Sequence, residues 1–237
     1  MRMWKKGKLV FKAVWKEIAY TISYNLAGGS LPTGKTNPTT FTINSKPMDL
    51  VQPKREGYTF EGWSGTDIKE KDTQVTITAR PLKDRTYTAN WKENSYTIVF
   101  NVEGEVTRGE MKNIPLRYTQ ETTIPKNGYV CGGYKFVGWR TGGKKSEQKV
   151  YQPGDKVSRL CATNNGTVNL YPIWEPCEYT ITFDYQTGNK REKVTCKYKE
   201  TYTLPTVNRL GWTFEGWSRS AGSTNVISYA PNVKTAV

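Results

Sequence analysis

Three short phrases in which apolar and polar residues alternate recur along the chain, each with a period of two. The first reads Tyr20-Thr21-Ile22-Ser23-Tyr24-Asn25, Tyr96-Thr97-Ile98-Val99-Phe100-Asn101 and Tyr179-Thr180-Ile181-Thr182-Phe183-Asp184. Such alternation places one set of side chains on a buried face and the other in water, as a half-buried strand requires. β-Branched and aromatic residues dominate, which suits a pleated surface. The second phrase is Gly57-Tyr58-Thr59-Phe60-Glu61-Gly62-Trp63, Gly133-Tyr134-Lys135-Phe136-Val137-Gly138-Trp139 and Gly211-Trp212-Thr213-Phe214-Glu215-Gly216-Trp217. Here Tyr58 and Phe60 share a face, and Gly62 permits a bulge that turns Trp63 toward the same core. Residues 53–57 mark the turn into this strand.

A third phrase closes the units as Tyr87-Thr88-Ala89-Asn90-Trp91-Lys92-Glu93 and Leu170-Tyr171-Pro172-Ile173-Trp174-Glu175. It also occurs near the start, as Phe11-Lys12-Ala13-Val14-Trp15-Lys16-Glu17. The expected organisation is therefore a closing strand of a preceding repeat in residues 1–19, followed by repeats at 20–95, 96–178 and 179–237. The third is expected to lack its own closing strand. Linkers at 92–95 and 175–178 are too short for free tumbling. No helical stripe exceeds about two turns, and only 46–51, 120–124 and 200–204 suit a short helical turn. The expected fold class is mainly β, or α+β with at most one short helix in each of several tandem modules.

Composition narrows the chemistry. The 237 residues are 36% hydrophobic and 13% aromatic, too aromatic for a disordered chain. Histidine is absent, which excludes Ser-His and Cys-His catalysis and imidazole metal sites. With repeats occupying almost every residue, no enzyme activity and no cofactor are expected. The net charge is +14, spread along the chain apart from a cluster at Arg2, Lys5, Lys6 and Lys8. That spread reads first as a solvated basic surface and second as a polyanion-binding one, with Lys5, Lys6, Lys8, Lys144 and Lys145 as candidate contacts. Nucleic acid is not an expected partner, because a dedicated domain gathers its charge on one element beside exposed stacking residues. No apolar run is long enough to span a membrane, and residues 1–19 lack the apolar stretch of a secretory signal.

The three phrases in this order resemble the Listeria-Bacteroides repeat, also called the internalin B-type B repeat, of bacterial cell-surface proteins. The resemblance covers nearly the whole chain and is most specific in the Gly-Tyr-Thr-Phe-x-Gly-Trp phrase. It implies a small β-grasp (ubiquitin-like) module in an extracellular, wall-attached protein, acting as a stalk, spacer or adhesin segment. The loops at 26–40 and 141–150 are longer than is usual in that family, and four cysteines are unusual there. Neither Leu31-Pro32-Thr33-Gly34 nor Leu204-Pro205-Thr206-Val207-Asn208 fits the Leu-Pro-x-Thr-Gly sorting signal, so a signal and an anchor are expected outside this chain.

Cysteines Cys131, Cys161, Cys177 and Cys196 show no Cys-x-x-Cys spacing, which argues against zinc. If 179–184 and 190–198 form a hairpin turning near Thr187-Gly188, Cys177 and Cys196 fall almost opposite each other. An even number in an extracellular β protein favours bridges, giving Cys177 with Cys196 and Cys131 with Cys161 as candidate disulfides against free buried thiols. The recurring aromatics read either as a glycan-stacking platform or as core; repetition favours core for Phe60, Phe136, Phe214, Trp91 and Trp174. A binding surface is then expected in the loops 27–39 and 140–149. Expected partners are host or wall polyanions and glycans, or host surface proteins. The alternatives to a spacer are a polyanion- or glycan-binding module and a fibre subunit that assembles head to tail by donating residues 9–15 as a strand.

Overall fold

The computed structural model describes residues 11–142 and 144–219, together with the strands at 226–228 and 234–236. The chain divides into two compact units. One comprises Met1–Thr97, Pro115–Gln120 and Ser158–Gly166; the other comprises Ile98–Ile114, Glu121–Val157 and Thr167–Val237.

The first repeat contains β1 (Tyr20–Asn25), β2 (Thr40–Phe41), β3 (Met48–Asp49), β4 (Tyr58–Gly65), β5 (Ile68–Asp72), β6 (Thr76–Ile77) and β7 (Arg85–Glu93). Its sheet has the order β2-β1-β7-β4-β5. The first and last strands, β1 and β7, lie side by side and parallel, with Tyr24 beside Tyr87. Antiparallel neighbours flank that pair, β2 on β1 and β4 on β7. This is the β-grasp-like arrangement that the resemblance implied, built almost without helix. Along β1 the expected alternation holds: Ile22 is buried, Tyr20 and Tyr24 are half-buried, and Thr21, Ser23 and Asn25 face outward.

The bulge forms where the sequence placed it. The β4/β7 register shifts between Phe60 and Gly62, and Gly62 takes φ +122°. Trp63 is thereby turned into the centre of the module, where it is fully buried. Ile22, Phe41, Leu50, Val75, Ile77, Tyr87 and Ala89 complete this core. Burial of one such side chain stabilises by roughly 1.5–3 kcal/mol.

The second repeat contains β8 (Ser95–Phe100), β9 (Val106–Arg108), β10 (Ile114–Arg117), β11 (Thr122–Thr123), β12 (Val130–Cys131), β13 (Tyr134–Thr141), β14 (Val150–Tyr151), β15 (Lys156–Val157) and β16 (Gly166–Pro176). Its sheet order, β10-β8-β16-β13-β14, repeats that of the first. The β13/β16 register shifts between Phe136 and Gly138, and Trp139 is fully buried.

In the third repeat β17 (Glu178–Asp184) and β18 (Arg191–Lys197) form a hairpin with Tyr179 opposite Cys196. They are followed by β19 (Thr201–Thr203), β20 (Trp217–Ser218), β21 (Val226–Ser228) and β22 (Lys234–Ala236). β19 pairs with β22, and β20 with β21.

Two expectations are corrected. The central rings are Trp63 and Trp139, whereas Phe60, Phe136, Phe214, Trp91 and Trp174 are half-buried and pack around them. Ring centroids lie 5.6 Å apart for Phe60 and Trp63, 5.1 Å for Phe136 and Trp139, and 5.6 Å for Phe214 and Trp217, all edge to face. The bulge explains the exchange, since it gives the inward position to the residue after the glycine. The second correction concerns the three stretches suited to a helical turn, which contain the strands Met48–Asp49, Thr122–Thr123 and Thr201–Thr203. Each is preceded by a tight turn in which the fourth side chain caps the first amide: Ser45 on Thr42, Gln120 on Arg117 and Glu200 on Lys197. Among the described residues the helical content is one 3-10 turn, Lys145–Glu147.

Candidate functional site: the joints between repeats

One residue, Asn94, separates β7 from β8, and one residue, Cys177, separates β16 from β17. Both are hydrogen-bonded at each end of their peptide unit. The Asn94 N–H donates to the Gly57 carbonyl at 2.9 Å, and the Asn94 carbonyl accepts from the Tyr118 N–H at 2.9 Å. At the second joint the Cys177 N–H donates to Gly133 at 2.8 Å, and the Cys177 carbonyl accepts from the Tyr198 N–H at 2.9 Å. Each joint therefore ties the glycine that opens one repeat's second phrase to a tyrosine of the next repeat.

The tyrosine rings complete the joint. A β-carbon on Gly57 would stand 1.9 Å from a Tyr118 ring carbon, and one on Gly133 would stand 2.4 Å from the Tyr198 ring. Both glycines have positive φ, +74° and +77°. The turn demands a left-handed residue, and the ring then fills the space that a side chain would need. Tyr118 meets Tyr58 edge to face at 6.4 Å, and Tyr198 meets Tyr134 at 5.3 Å. In the first joint the Arg55 guanidinium lies 3.7 Å from the Tyr58 ring centre.

Asn94 is buried, and its side chain is fully engaged. Its Oδ1 accepts from the Thr59 hydroxyl at 2.6 Å and its Nδ2 donates to the Ala162 carbonyl at 2.7 Å. Beside it, one carboxylate oxygen of Glu93 accepts from both the N–H, at 2.8 Å, and the hydroxyl of Thr119. The hydroxyl first and the amide second hold the Glu93 carboxyl below its ordinary pKa. Glu17 stands at the equivalent place in the closing phrase near the start. It accepts from the Asn44 amide at 2.5 Å, and hydrogen bonds from Thr42 and Asn44 lower its pKa. In the second joint Lys199 pairs with Glu105 at 2.5 Å, and that hydrogen bond raises the lysine pKa.

The candidate residues from the sequence stand apart from these joints, except for Cys177. Cys131 and Cys196 are buried, Cys161 and Cys177 are half-buried, and all four are free thiols. The hairpin expected for 179–198 is present, but its register sets Cys196 against Tyr179 and the Cys196 thiol points to the Tyr179 carbonyl at 3.7 Å. Cys177 instead bonds Tyr198, so the candidate bridge is out of register by two residues. Lys144 and Lys145 are exposed at the 3-10 turn; Lys5, Lys6, Lys8 and the first two residues of the 9–15 strand lie outside the described residues. The 27–39 loop is fastened from within: Asn37 is buried and accepts from the Val51 N–H, and the Tyr24 hydroxyl donates to the Pro38 carbonyl. Among the described residues no cluster of acidic and cysteine side chains is arranged to hold a metal, and no helix is long and apolar enough to cross a membrane. The joint tyrosines escaped the sequence reading because each lies about sixty residues from the glycine it covers. The available signal was their recurrence two residues after a buried residue, Leu116 in β10 or Cys196 in β18.

Repeated sheets of one topology, joined through one residue each, define a tandem β-repeat protein. The Listeria-Bacteroides repeat domain model matches residues 20–92, 96–171 and 179–236, and the chain belongs to that family. It is similar to two proteins of Evansella cellulosilytica whose names assign them to the membrane. One is 26% identical over 93% of this chain and 31% of its own length; the other, Gly-rich by name, is 24% identical over 88% and 22%. Internalin H of Listeria monocytogenes is 30% identical over 47% of this chain and 20% of its own length. The chain thus spans about a third or less of these relatives.

Proposed function

We propose that this chain is a spacer region of a bacterial surface protein, non-enzymatic and extracellular, whose joints restrict bending between one repeat and the next. The observation that supports this reading is the joint itself: one intervening residue, hydrogen-bonded on both sides and covered by a tyrosine ring, in two successive copies. A flexible tether would contain several residues free of such bonds. The organisation into repeats at 20–95, 96–178 and 179–237, after a closing strand in 1–19, belongs to the same proposal. The names of the relatives agree with a place in the cell envelope. In solution, residual dipolar couplings from residues 20–97 and from 115–120 with 158–166, which belong to one compact unit, should fit one alignment tensor in the native chain. They should need two after Gly-Ser-Gly-Ser is inserted behind Asn94. Separate tensors in the native chain would remove the basis for the spacer reading.

A second reading, capture of wall or host polyanions, is favoured by the net charge of +14. It requires retention on heparin beyond physiological salt, because diffuse surface charge is screened over about 8 Å there. Elution at or below that salt leaves the spacer reading alone.

A further inference from the structure

Beside the first joint a groove of about 530 Å³ is lined by Lys54, Arg55, Tyr58, Phe60, Trp91 and Thr163, among others. Ligand sites of this size combine an apolar wall with a few placed polar groups. Here the wall is aromatic: Phe60 and Trp91 meet edge to face at 5.4 Å, and both are only half-buried. The Arg55 guanidinium is held in place, 3.7 Å from the Tyr58 ring centre and donating through Nη1 to the Ala27 carbonyl at 3.0 Å. The run 162–165 continues from this groove along a second one of about 370 Å³, lined by Lys92 and Arg117. Arg159 is tied to the same joint by its N–H, which donates to the Tyr118 carbonyl at 2.9 Å. Lys54, Arg55, Lys92, Arg117 and Arg159 form no ion pair with a described residue. Of the carboxylates lining the grooves, Glu56 and Glu93, the second is engaged by Thr119. Positive charge therefore prevails at this joint. The second joint differs: Val130 and Cys131 stand where the first has Lys54 and Arg55, and Glu175 replaces Lys92. Glu175 is paired there with Lys135 at 3.2 Å, and Lys199 with Glu105.

We propose that the grooves of the first joint bind an acidic polysaccharide, with its pyranose rings against Phe60 and Trp91 and its carboxylate or sulfate groups on Lys54, Arg55, Lys92 and Arg117. A pyranose has an apolar C–H face that covers an aromatic wall, and its rim of hydroxyls stays in water. The planar guanidinium matches carboxylate and sulfate oxygens through paired N–H donors, and the lysines add point charges. An anionic chain without rings would satisfy the charges and leave the wall uncovered. The inference rests on the second reading above and gives it a place: charge spread over the whole surface attracts a polyanion, and this joint adds the rings that select a sugar polymer.

The test titrates a heparin oligosaccharide, whose pyranose rings carry both carboxylate and sulfate, into the isotope-labelled full chain at physiological salt. Amides of 54–58, 91–95 and 162–165 should shift, and those of 130–134 should stay. Lys54 and Lys92 are exposed, so Lys54→Glu with Lys92→Glu leaves the packing intact. That pair should weaken binding by about tenfold or more, as the loss of two charge-assisted contacts requires. Lys144→Glu with Lys145→Glu removes the same charge and should leave affinity unchanged. Polyglutamate of matched charge should bind the native chain about tenfold more weakly than the oligosaccharide. Equal weakening by both pairs of substitutions overturns the site and leaves diffuse polyanion capture standing; no heparin binding at all overturns both. Shifts confined to other amides, or polyglutamate binding as tight as that of heparin, overturn the proposal as well.

Discussion

The ring of Tyr118 occupies the space that a side chain on Gly57 would need, with an interpenetrating distance of 1.9 Å for the missing β-carbon. Gly57→Ala therefore meets two obstacles, a left-handed backbone at φ +74° and a ring that must leave. The backbone cost alone is about 1–2 kcal/mol. The urea midpoint should fall accordingly, and Tyr118→Ala combined with Gly57→Ala should lose less than the two single changes added together.

Asn94→Ala removes the acceptor of the Thr59 hydroxyl and the donor to the Ala162 carbonyl. Leaving such groups unpaired costs about 1–3 kcal/mol. Asn94→Asp keeps the acceptor and loses the donor, so chemical denaturation should rank native above Asp.

Glu93 has its pKa depressed in the folded chain by Thr119. Its contribution is complete above the ordinary carboxylate value of about 4.3 and disappears as pH falls through the lower folded value. Glu17 has the same sign. The stability difference between the native chain and Glu93→Gln should thus persist at neutral pH and shrink in acid. Urea titrations at a series of pH values read it directly.

Thiol reactivity should divide the cysteines. Cys161 and Cys177, half-buried, should react with a disulfide reagent in the folded chain, whereas Cys131 and Cys196 should react only on unfolding. Peptide mapping after brief labelling identifies the sites.

Strand periodicity and the Gly62 bulge were legible in the residues because both are local: alternation and a glycine between aromatics determine them. The identity of the central ring was not, since a bulge exchanges the roles of Phe60 and Trp63 without altering composition. The strand Met48–Asp49 was hidden for another reason. It exists through pairing with Thr76–Ile77, nearly thirty residues away, and that pairing overrides weak local preference. The cysteine positions alone did not determine the hairpin register, which sets Cys196 against Tyr179 and leaves Cys177 two residues short of that pair. The joints combine both difficulties, being distant contacts centred on a glycine whose role emerges only when a neighbouring repeat is present.

The parallel placement of β1 and β7 has a mechanical meaning for the first repeat. Tension applied at Tyr20 and Glu93 pulls these adjacent strands in opposite directions along their length, so the ladder between Ile22–Asn25 and Arg85–Thr88 is loaded in shear as a group. Such bonds must yield together instead of peeling one by one.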